Sequence, residues 1–317
     1  MARHRPGWND PDRVAEPGPA ALRNRNARIG KPAIAGLSAE PEPRQYAFGD
    51  GDLAARRLAL LHEVYAPSSS ALLADAVTRA PALAYDLGCG PGYTTEMVAR
   101  VTRATRTVGL DSSANFVAAA SALHEEARAD GYLEFTAHDV LVLPFPAGPA
   151  DLIYCRLLLA HLADPAGVVR RWASQLTADG MVVVDEIEWI ETSHPLLRAH
   201  LRLAELMVAA SGARMCAGPL LAPLSDDHSL RTRLTRITEV PVPTATAARL
   251  FLMNLAATGD RPVTLSLCSV KELASLRSGL AELTTSTATG QIAWGMRQAA
   301  YSANQAGATA SRSDPQS

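Results

Sequence analysis

Aromatic side chains are scarce in this chain of 317 residues: they make up 5% of it, although 48% of all residues are hydrophobic. A core can still form, but it must consist mainly of alanine, leucine and valine, so an aromatic side chain near a binding site is informative. A large net charge is also missing, since the formal charge at pH 7 is -2. The chain therefore lacks the overall excess of positive charge that is typical of nucleic-acid-binding proteins. We therefore expect no nucleic-acid partner.

Cysteine pairs and long apolar runs are absent from the sequence as well. The chain has neither the C-x-x-C pattern of a zinc site nor a disulfide framework, because its cysteines are far apart: Cys89, Cys155, Cys216 and Cys268. No run approaches the roughly 18 apolar residues of a transmembrane helix, and the first residues lack the apolar segment of a signal peptide. We expect a cytoplasmic protein with no metal site and no membrane partner.

The two ends of the chain differ in composition from the middle. Residues 1–45 are rich in proline and arginine and show no hydrophobic period. Such a segment cannot bury enough apolar surface to offset the entropy lost on ordering. Residues 304–317 are rich in alanine, serine and glutamine. We predict that both ends are disordered tails.

The most informative stretch is LAYDLGCGPGYTT, residues 83–95. A short apolar run ends at Asp86, and three glycines follow at alternate positions: Gly88, Gly90 and Gly92. Helical periodicity then begins, which predicts a strand, a tight turn and a helix. Alternate glycines permit positive φ angles and remove the side chains that would keep a ligand away from the main chain. We predict that this loop binds a small molecule.

Strand and helix patterns alternate after the loop. The sequence predicts a helix over 93–102, a strand over 106–111 and a helix that starts after Ser112 or Ser113 and ends at Gly131. Alternation of this kind predicts a parallel sheet with helices on both faces. Ligands bind such sheets at the carboxyl ends of the strands. The acids at predicted strand ends are expected to meet in one pocket: Asp86, Asp111 and Asp139.

The spacing of the glycines separates two kinds of cofactor loop. A dinucleotide fingerprint has the pattern G-x-G-x-x-G, whereas this chain has G-x-G-x-G. The loop resembles motif I of the class I S-adenosylmethionine-dependent methyltransferases. Three later segments are similar to the family's adenine-contacting turn, fourth-strand segment and fifth strand: FTAHDV (135–140), DLIYCRLLLAHLADP (151–165) and GMVVVDEIEW (180–189).

The resemblance implies an α/β fold: a Rossmann-like, seven-stranded, mostly parallel sheet with helices on both faces and a helical lid. Within a methyltransferase domain of residues 46–303, it implies a helical cap over 46–80, a cofactor-binding core over 81–189, a lid and acceptor-pocket region with the sixth strand over 190–289, and a terminal strand over 290–303. Pro67 is expected to break the helix of the cap. Residues 181–185 are expected to form the fifth strand, with an acid-rich turn after it.

The resemblance also implies S-adenosyl-L-methionine as the cofactor. In this family Asp111 would accept hydrogen bonds from the ribose diol, Asp139 would accept from the adenine amino group, and the Val140 N–H would donate to the adenine ring. Tyr46 and Arg57 would close over the cofactor. The full set of predicted cofactor contacts is Tyr46, Arg57, Asp86, Gly88, Cys89, Gly90, Gly92, Asp111, Ser112, Asp139, Val140, Cys155 and Arg156.

The expected reaction is transfer of a methyl group to an oxygen, nitrogen or carbon atom of a small metabolite, in secondary metabolism. An acceptor with a high pKa must lose a proton, and His161 and Glu186 are the candidate bases. A packed structural role for His161 is an open alternative. We expect Met207, Phe251 and Met253 to line the acceptor pocket.

Other interpretations stay open at this stage. The same pocket could serve a non-methylating reaction such as a cyclisation, because a fold does not fix the chemistry. An NAD-dependent oxidoreductase has a similar sheet, and a non-catalytic cofactor-binding protein would keep the loop. A methyltransferase that acts on nucleic acid bases is disfavoured, because Cys155-Arg156-Leu157-Leu158 replaces that group's Pro-Pro-aromatic motif. The sequence also leaves open whether the protein is a homodimer.

Overall fold

The structure is a computed structural model that describes residues 49–210 and 214–304. The predicted tails, apart from Asn304, and the predicted cofactor contact Tyr46 lie outside these ranges. None of the helices in the described ranges is both long enough and apolar enough to span a membrane.

Seven strands form one sheet in the described part of the chain. They are β1 Leu83–Leu87, β2 Arg106–Asp111, β3 Leu133–Ala137, β4 Ala150–Arg156, β5 Leu176–Thr192, β6 Leu230–Pro241 and β7 Ile292–Ala303. Their order across the sheet is β3-β2-β1-β4-β5-β7-β6. The first five strands pair in parallel, and β7 lies antiparallel between β5 and β6. The predicted Rossmann-like, mostly parallel sheet is confirmed.

The α-helices of the described residues are α1 Asp52–Ala76, α2 Tyr93–Thr102, α3 Ala114–Leu123, α4 Glu125–Ala129, α5 Pro165–Ala173, α6 Pro195–Ala210, α7 Thr244–Thr258, α8 Pro262–Leu267 and α9 Val270–Leu283. Local signals fix several of their ends. The Ser113 hydroxyl accepts the Phe116 N–H at the start of α3, and Ser269 and Glu272 form a capping box at the start of α9. The single helix predicted between Ser113 and Gly131 is wrong, because α3 ends at His124, whose ψ angle of 36° leaves the helical region.

The first helix, α1, continues through Pro67, where the sequence predicted a break. A proline inside a helix removes a main-chain hydrogen bond and costs about 3 kcal/mol. One side of α1 is buried on both sides of the proline, with Tyr65, Ser69 and Leu72 each 1% exposed or less. Packing of this face stabilises the helix by more than the local penalty, which is why the prediction failed.

The fifth strand is much longer than the five residues predicted. It extends for 17 residues, and the expected acid-rich turn is wrong because Asp185, Glu186 and Glu191 pair with β7 inside the sheet. Asp185 and Glu186 are each 1% exposed, and Glu188 forms a bidentate ion pair with Arg297. Acidic residues in a sequence usually predict a solvent-exposed segment. The acids of β5 have partners far away in the sequence, which no local pattern reveals.

A second part of the core lies beside the sheet, where α1, α6, α7 and α9 pack against β7. It contains Tyr65, Phe251 and Trp294 among aliphatic side chains from these elements. Met207, a predicted pocket residue, packs at its edge. Of these elements, α6, α7 and α9 fall in the region predicted as the lid, 190–289.

Candidate functional site

The glycine loop lies at the carboxyl end of β1. Gly88, Gly90 and Gly92 all have positive φ angles, of 68°, 52° and 88°. An added Cβ at Gly92 would lie 2.9 Å from the Phe135 ring and 3.0 Å from the Ala120 Cβ. A side chain there would be both strained and blocked. The conformation therefore requires glycine. Gly88 is half-buried, and Gly90 and Gly92 are buried.

Asp111 ends β2 directly beside this loop. One carboxylate oxygen accepts the Gly90 N–H at 2.9 Å, and the other accepts the Ser113 N–H at 2.8 Å. Burial raises the pKa of Asp111, and these two N–H groups oppose the shift. The carboxylate is thus held in a fixed orientation, and each of its oxygens can accept a further hydrogen bond from a diol. This donor set fits the ribose of a nucleoside, and Asp111 stays a predicted contact.

Asp86 is the penultimate residue of β1, at the carboxyl end of the strand. It is 1% exposed, and the Thr95 hydroxyl donates to its carboxylate at 2.7 Å. Burial raises the pKa of Asp86 to about 7. This hydrogen bond joins β1 to the first turn of α2, the two elements on either side of the glycine loop. Contact between Asp86 and a cofactor stays a prediction.

The predicted adenine turn has its own hydrogen bonds. The exposed Asp139 accepts the Leu141 N–H at 2.8 Å, a turn of the Asx type. The Val140 side chain is buried, and its carbonyl oxygen accepts from the Trp172 indole at 2.9 Å. Both residues sit in a well-defined turn, and their adenine contacts stay predictions.

Three other predicted contacts differ in accessibility. Ser112 is exposed, whereas Cys89 and Cys155 are 3% and 0% exposed. Burial raises the pKa of both thiols. The Cys155 side chain packs in the hydrophobic core, so any cofactor contact of that residue must use its main chain.

The start of α1 lies across the carboxyl ends of β1 and β2. Leu58 would be 3.2 Å from a Cβ added to Gly90, and Asp50 accepts a hydrogen bond from the Ser113 hydroxyl at 2.8 Å. Arg57 donates from Nε to the Asn254 amide oxygen at 2.6 Å, which links α1 to α7. Neither Asp50 nor Asn254 was predicted from the sequence. Asp50 has a weak signal, since it stands among glycines, and Asn254 has none.

Arg156 belongs to a buried network between α1 and the sheet. It donates to the Ser69 hydroxyl at 3.2 Å, and Ser69 donates to Asp185 at 2.6 Å. Gln298 donates to the same carboxylate at 3.3 Å. Arg156 also contacts the Nδ1 atom of His62 at 3.3 Å, and burial together with the Arg156 charge lowers the pKa of His62 to about 4. The network fixes α1 over the site.

Glu186, a predicted base, holds the turn that follows β4. One of its carboxylate oxygens accepts the N–H groups of Leu158 and Leu159, both at 2.8 Å. The turn needs this support because Leu157 has a positive φ of 55°. Burial raises the pKa of Glu186 to about 8. These contacts favour a positioning role for Glu186 over proton removal.

His161, the other predicted base, ends the same turn. The side chain is open to solvent on one side, while the protein around its other side and the charge of Arg57 lower its pKa. His161 is therefore neutral and near the site, as a base requires. Its catalytic role stays a prediction.

Replacing Glu186 by alanine should lower the free energy of unfolding by about 2–4 kcal/mol, because two main-chain N–H groups lose their acceptor. Glu186→Gln should keep most of the stability and of the activity, since the amide oxygen can still accept both hydrogen bonds. Chemical denaturation and turnover of the two variants provide the measurement. Equal loss of turnover in both variants, with stability intact, would instead identify Glu186 as a base.

The strand order, the antiparallel β7 and the glycine loop beside Asp111 define the class I S-adenosylmethionine-dependent methyltransferase fold. Residues 85–184 match a family model described as a methyltransferase domain. This match covers about a third of the chain and indicates S-adenosyl-L-methionine as the cofactor.

Curated relatives agree with this assignment. A trans-aconitate 2-methyltransferase of Methylobacterium radiotolerans is 36% identical over 143 residues, which are 44% of this chain and 49% of the relative. The chain thus spans about half the length of that protein. A trans-aconitate 2-methyltransferase of Yersinia pseudotuberculosis is 29% identical over 219 residues, 66% of this chain and 80% of the relative. A solved geranyl diphosphate C-methyltransferase from Streptomyces coelicolor is 15% identical with a TM-score of 0.47, and the match covers 81% of this chain and 87% of that one.

Proposed function

We propose that this protein transfers a methyl group from S-adenosylmethionine to a carboxylate oxygen of a small organic acid. The observation that carries the proposal is the glycine loop with the oriented Asp111 carboxylate beside it. The relatives are named trans-aconitate 2-methyltransferases, which favours an organic acid as the acceptor.

The residues around the loop would hold the cofactor without a metal. The half-buried Gly88 would lie against the ligand, and Asp111 would accept from the two ribose hydroxyls. When bound, S-adenosylmethionine supplies an electrophilic methyl group on a sulfonium. The chain contributes binding, alignment and exclusion of water.

Methyl transfer to a carboxylate needs no catalytic base, because the acceptor oxygen carries no proton. A lone pair of the carboxylate oxygen forms the new carbon–oxygen bond while the carbon–sulfur bond breaks. The electron pair of that bond stays on sulfur, so the products are a methyl ester and neutral S-adenosylhomocysteine. No proton has to leave, which agrees with a Glu186 carboxylate that binds two main-chain N–H groups.

The turn after β4 and the start of α1 would enclose the reacting atoms. Leu158 and Leu58 approach the loop from two sides, because an added Cβ on Gly88 or Gly90 would lie 2.9 Å or 3.2 Å from them. Apolar walls of this kind exclude water and strengthen the interaction between a carboxylate and a sulfonium.

The test is to incubate the purified protein with S-adenosylmethionine and a panel of small organic acids and amines. Mass spectrometry then follows S-adenosylhomocysteine and the methylated product. We expect stoichiometric methyl ester and S-adenosylhomocysteine with at least one acid, and none when the acid is omitted. Methylation of amines alone would contradict a carboxylate acceptor, and cofactor consumption without a methylated product would contradict methyl transfer.

A further inference from the structure

The segment that precedes α1 is bonded to the turn between β2 and α3, beside Asp111. One carboxylate oxygen of Asp50 accepts a hydrogen bond from the Ser113 hydroxyl at 2.8 Å and another from the Asn115 side-chain amide at 3.1 Å. The main-chain N–H of Ser113 donates to Asp111 at 2.8 Å. A single residue, Ser113, therefore joins Asp50 to the carboxylate that is predicted to bind the ribose.

Asp50 stands close to a second acid. Burial raises the pKa of Asp111, and the nearby charge of Asp50 adds to this rise. Like charges in proximity destabilise a fold. The N-cap residue of α1 is Gly51, which forms no side-chain hydrogen bond, so Asp50 has no capping role for this helix. The hydrogen bonds to Ser113 and Asn115 are what hold Asp50 in its position.

The start of α1 lies over the glycine loop. Leu58 would be 3.2 Å from a Cβ added to Gly90, and Gly90 is buried and donates its N–H to Asp111. A ligand that bonds to Asp111 and lies along the loop would therefore be enclosed on this side by residues 50–58. Movement of this segment would open the way for the ligand to enter and leave.

The chain can pivot on both sides of Asp50. Gly49 has a positive φ of 73°. Among the described residues, no atom outside the adjacent chain lies within 4 Å of a Cβ added to Gly49 or Gly51, so nothing packs against these flexible positions. Further along α1, Arg57 is bonded to Asn254 of α7. Loss of the Asp50 hydrogen bonds would therefore release the first turns of α1 and leave the rest of the helix in place.

We infer that Asp50 is a positioning residue, which fastens the start of α1 over the ribose of the bound cofactor and thereby sets how fast the cofactor exchanges. The inference rests on the assignment of S-adenosylmethionine as the cofactor. It goes beyond the proposed methyl transfer, because it concerns the binding and release steps before and after that reaction. Asp50 acts through Ser113 and Asn115 and need not touch the ligand.

Surface plasmon resonance with S-adenosylhomocysteine on the immobilised protein measures the exchange. We expect Asp50→Ala to raise the dissociation rate constant by about fivefold or more, because both hydrogen bonds to the carboxylate are lost. Asp50→Asn should stay within about twofold of the parent, since its amide oxygen can still accept both bonds. Asp52→Ala is the matched control. Asp52 is an exposed acid in the first turn of α1, and its replacement should leave the rate unchanged.

Measurements on the ligand-free protein separate fastening from folding. Asp50→Ala should leave the Tm unchanged, because α1 has no side-chain cap to lose. Hydrogen exchange of the main-chain amides in the first two turns of α1 should become faster, while exchange in the second half of the helix stays the same. Asn115→Ala removes one of the two donors and should raise the dissociation rate constant by a smaller factor than Asp50→Ala.

An Asp50→Ala variant that releases S-adenosylhomocysteine at the rate of the parent would overturn the inference, and would leave the cofactor assignment and the proposed methyl transfer intact. Equal acceleration by Asp50→Ala and Asp50→Asn would also overturn it, because the hydrogen bonds would then not be what holds the start of α1. A parent protein that binds no S-adenosylhomocysteine would contradict the cofactor assignment and the inference with it.

Discussion

Replacing Asp111 by alanine should weaken the binding of S-adenosylmethionine by about 1.5–3 kcal/mol, the range for hydrogen bonds to a charged group. This corresponds to roughly 10- to 150-fold in Kd. The variant removes the acceptor for the ribose diol and also releases the Gly90 and Ser113 N–H groups that orient the loop. The β-strand itself should be unaffected, because the side chain projects from its end.

Calorimetry on the folded variant provides the measurement for Asp111. Asp130→Ala is a suitable control, since Asp130 is an exposed acid outside the predicted site and its replacement should leave Kd unchanged. An Asp111→Ala variant with an unchanged circular dichroism spectrum and an unchanged Kd would show that another group binds the ribose.

Replacing Asp185 by alanine should lower the free energy of unfolding by about 2–4 kcal/mol, because buried hydrogen-bond donors lose their acceptor. Ser69 and Gln298 both donate to this carboxyl group, and Arg156 is joined to it through the Ser69 hydroxyl. Because the network joins α1 to the sheet, the cap should become more sensitive to proteolysis than the rest of the protein.

Chemical denaturation measures the loss for Asp185. The exposed ion pair between Glu134 and Arg106 provides the control, and Glu134→Ala should cost less than about 1 kcal/mol. If the two variants were equally stable, the buried network would not be what holds α1 in place.

Local signals explain what the sequence could predict. The bounds of α2 and β2 agree with the prediction, since strand, glycine loop and helix are defined by neighbouring residues. The resemblance of the same loop to a known motif implied the cofactor, and the structure shows Asp111 bonded to the Gly90 N–H. A pattern that spans a few residues is sufficient when the structure depends on those residues.

Distant partners explain what the sequence could not predict. The sequence predicted solvent-exposed acids at the end of β5, yet Asp185 accepts a hydrogen bond from Ser69, 116 positions away. Arg57 meets Asn254 across 197 positions. Tyr65, Phe251 and Trp294 likewise come together in the core from three elements that have no common motif. Tertiary contacts of this kind override local propensity and leave no trace in the spacing of residues.

Isothermal titration of the purified protein with S-adenosylmethionine, S-adenosylhomocysteine and NADH tests the assignment of the cofactor most directly. The glycine loop and Asp111 predict saturable binding of both adenosyl ligands, one per chain, and no binding of NADH. Binding of NADH, with neither heat nor a thermal shift from the adenosyl ligands at millimolar concentration, would contradict it.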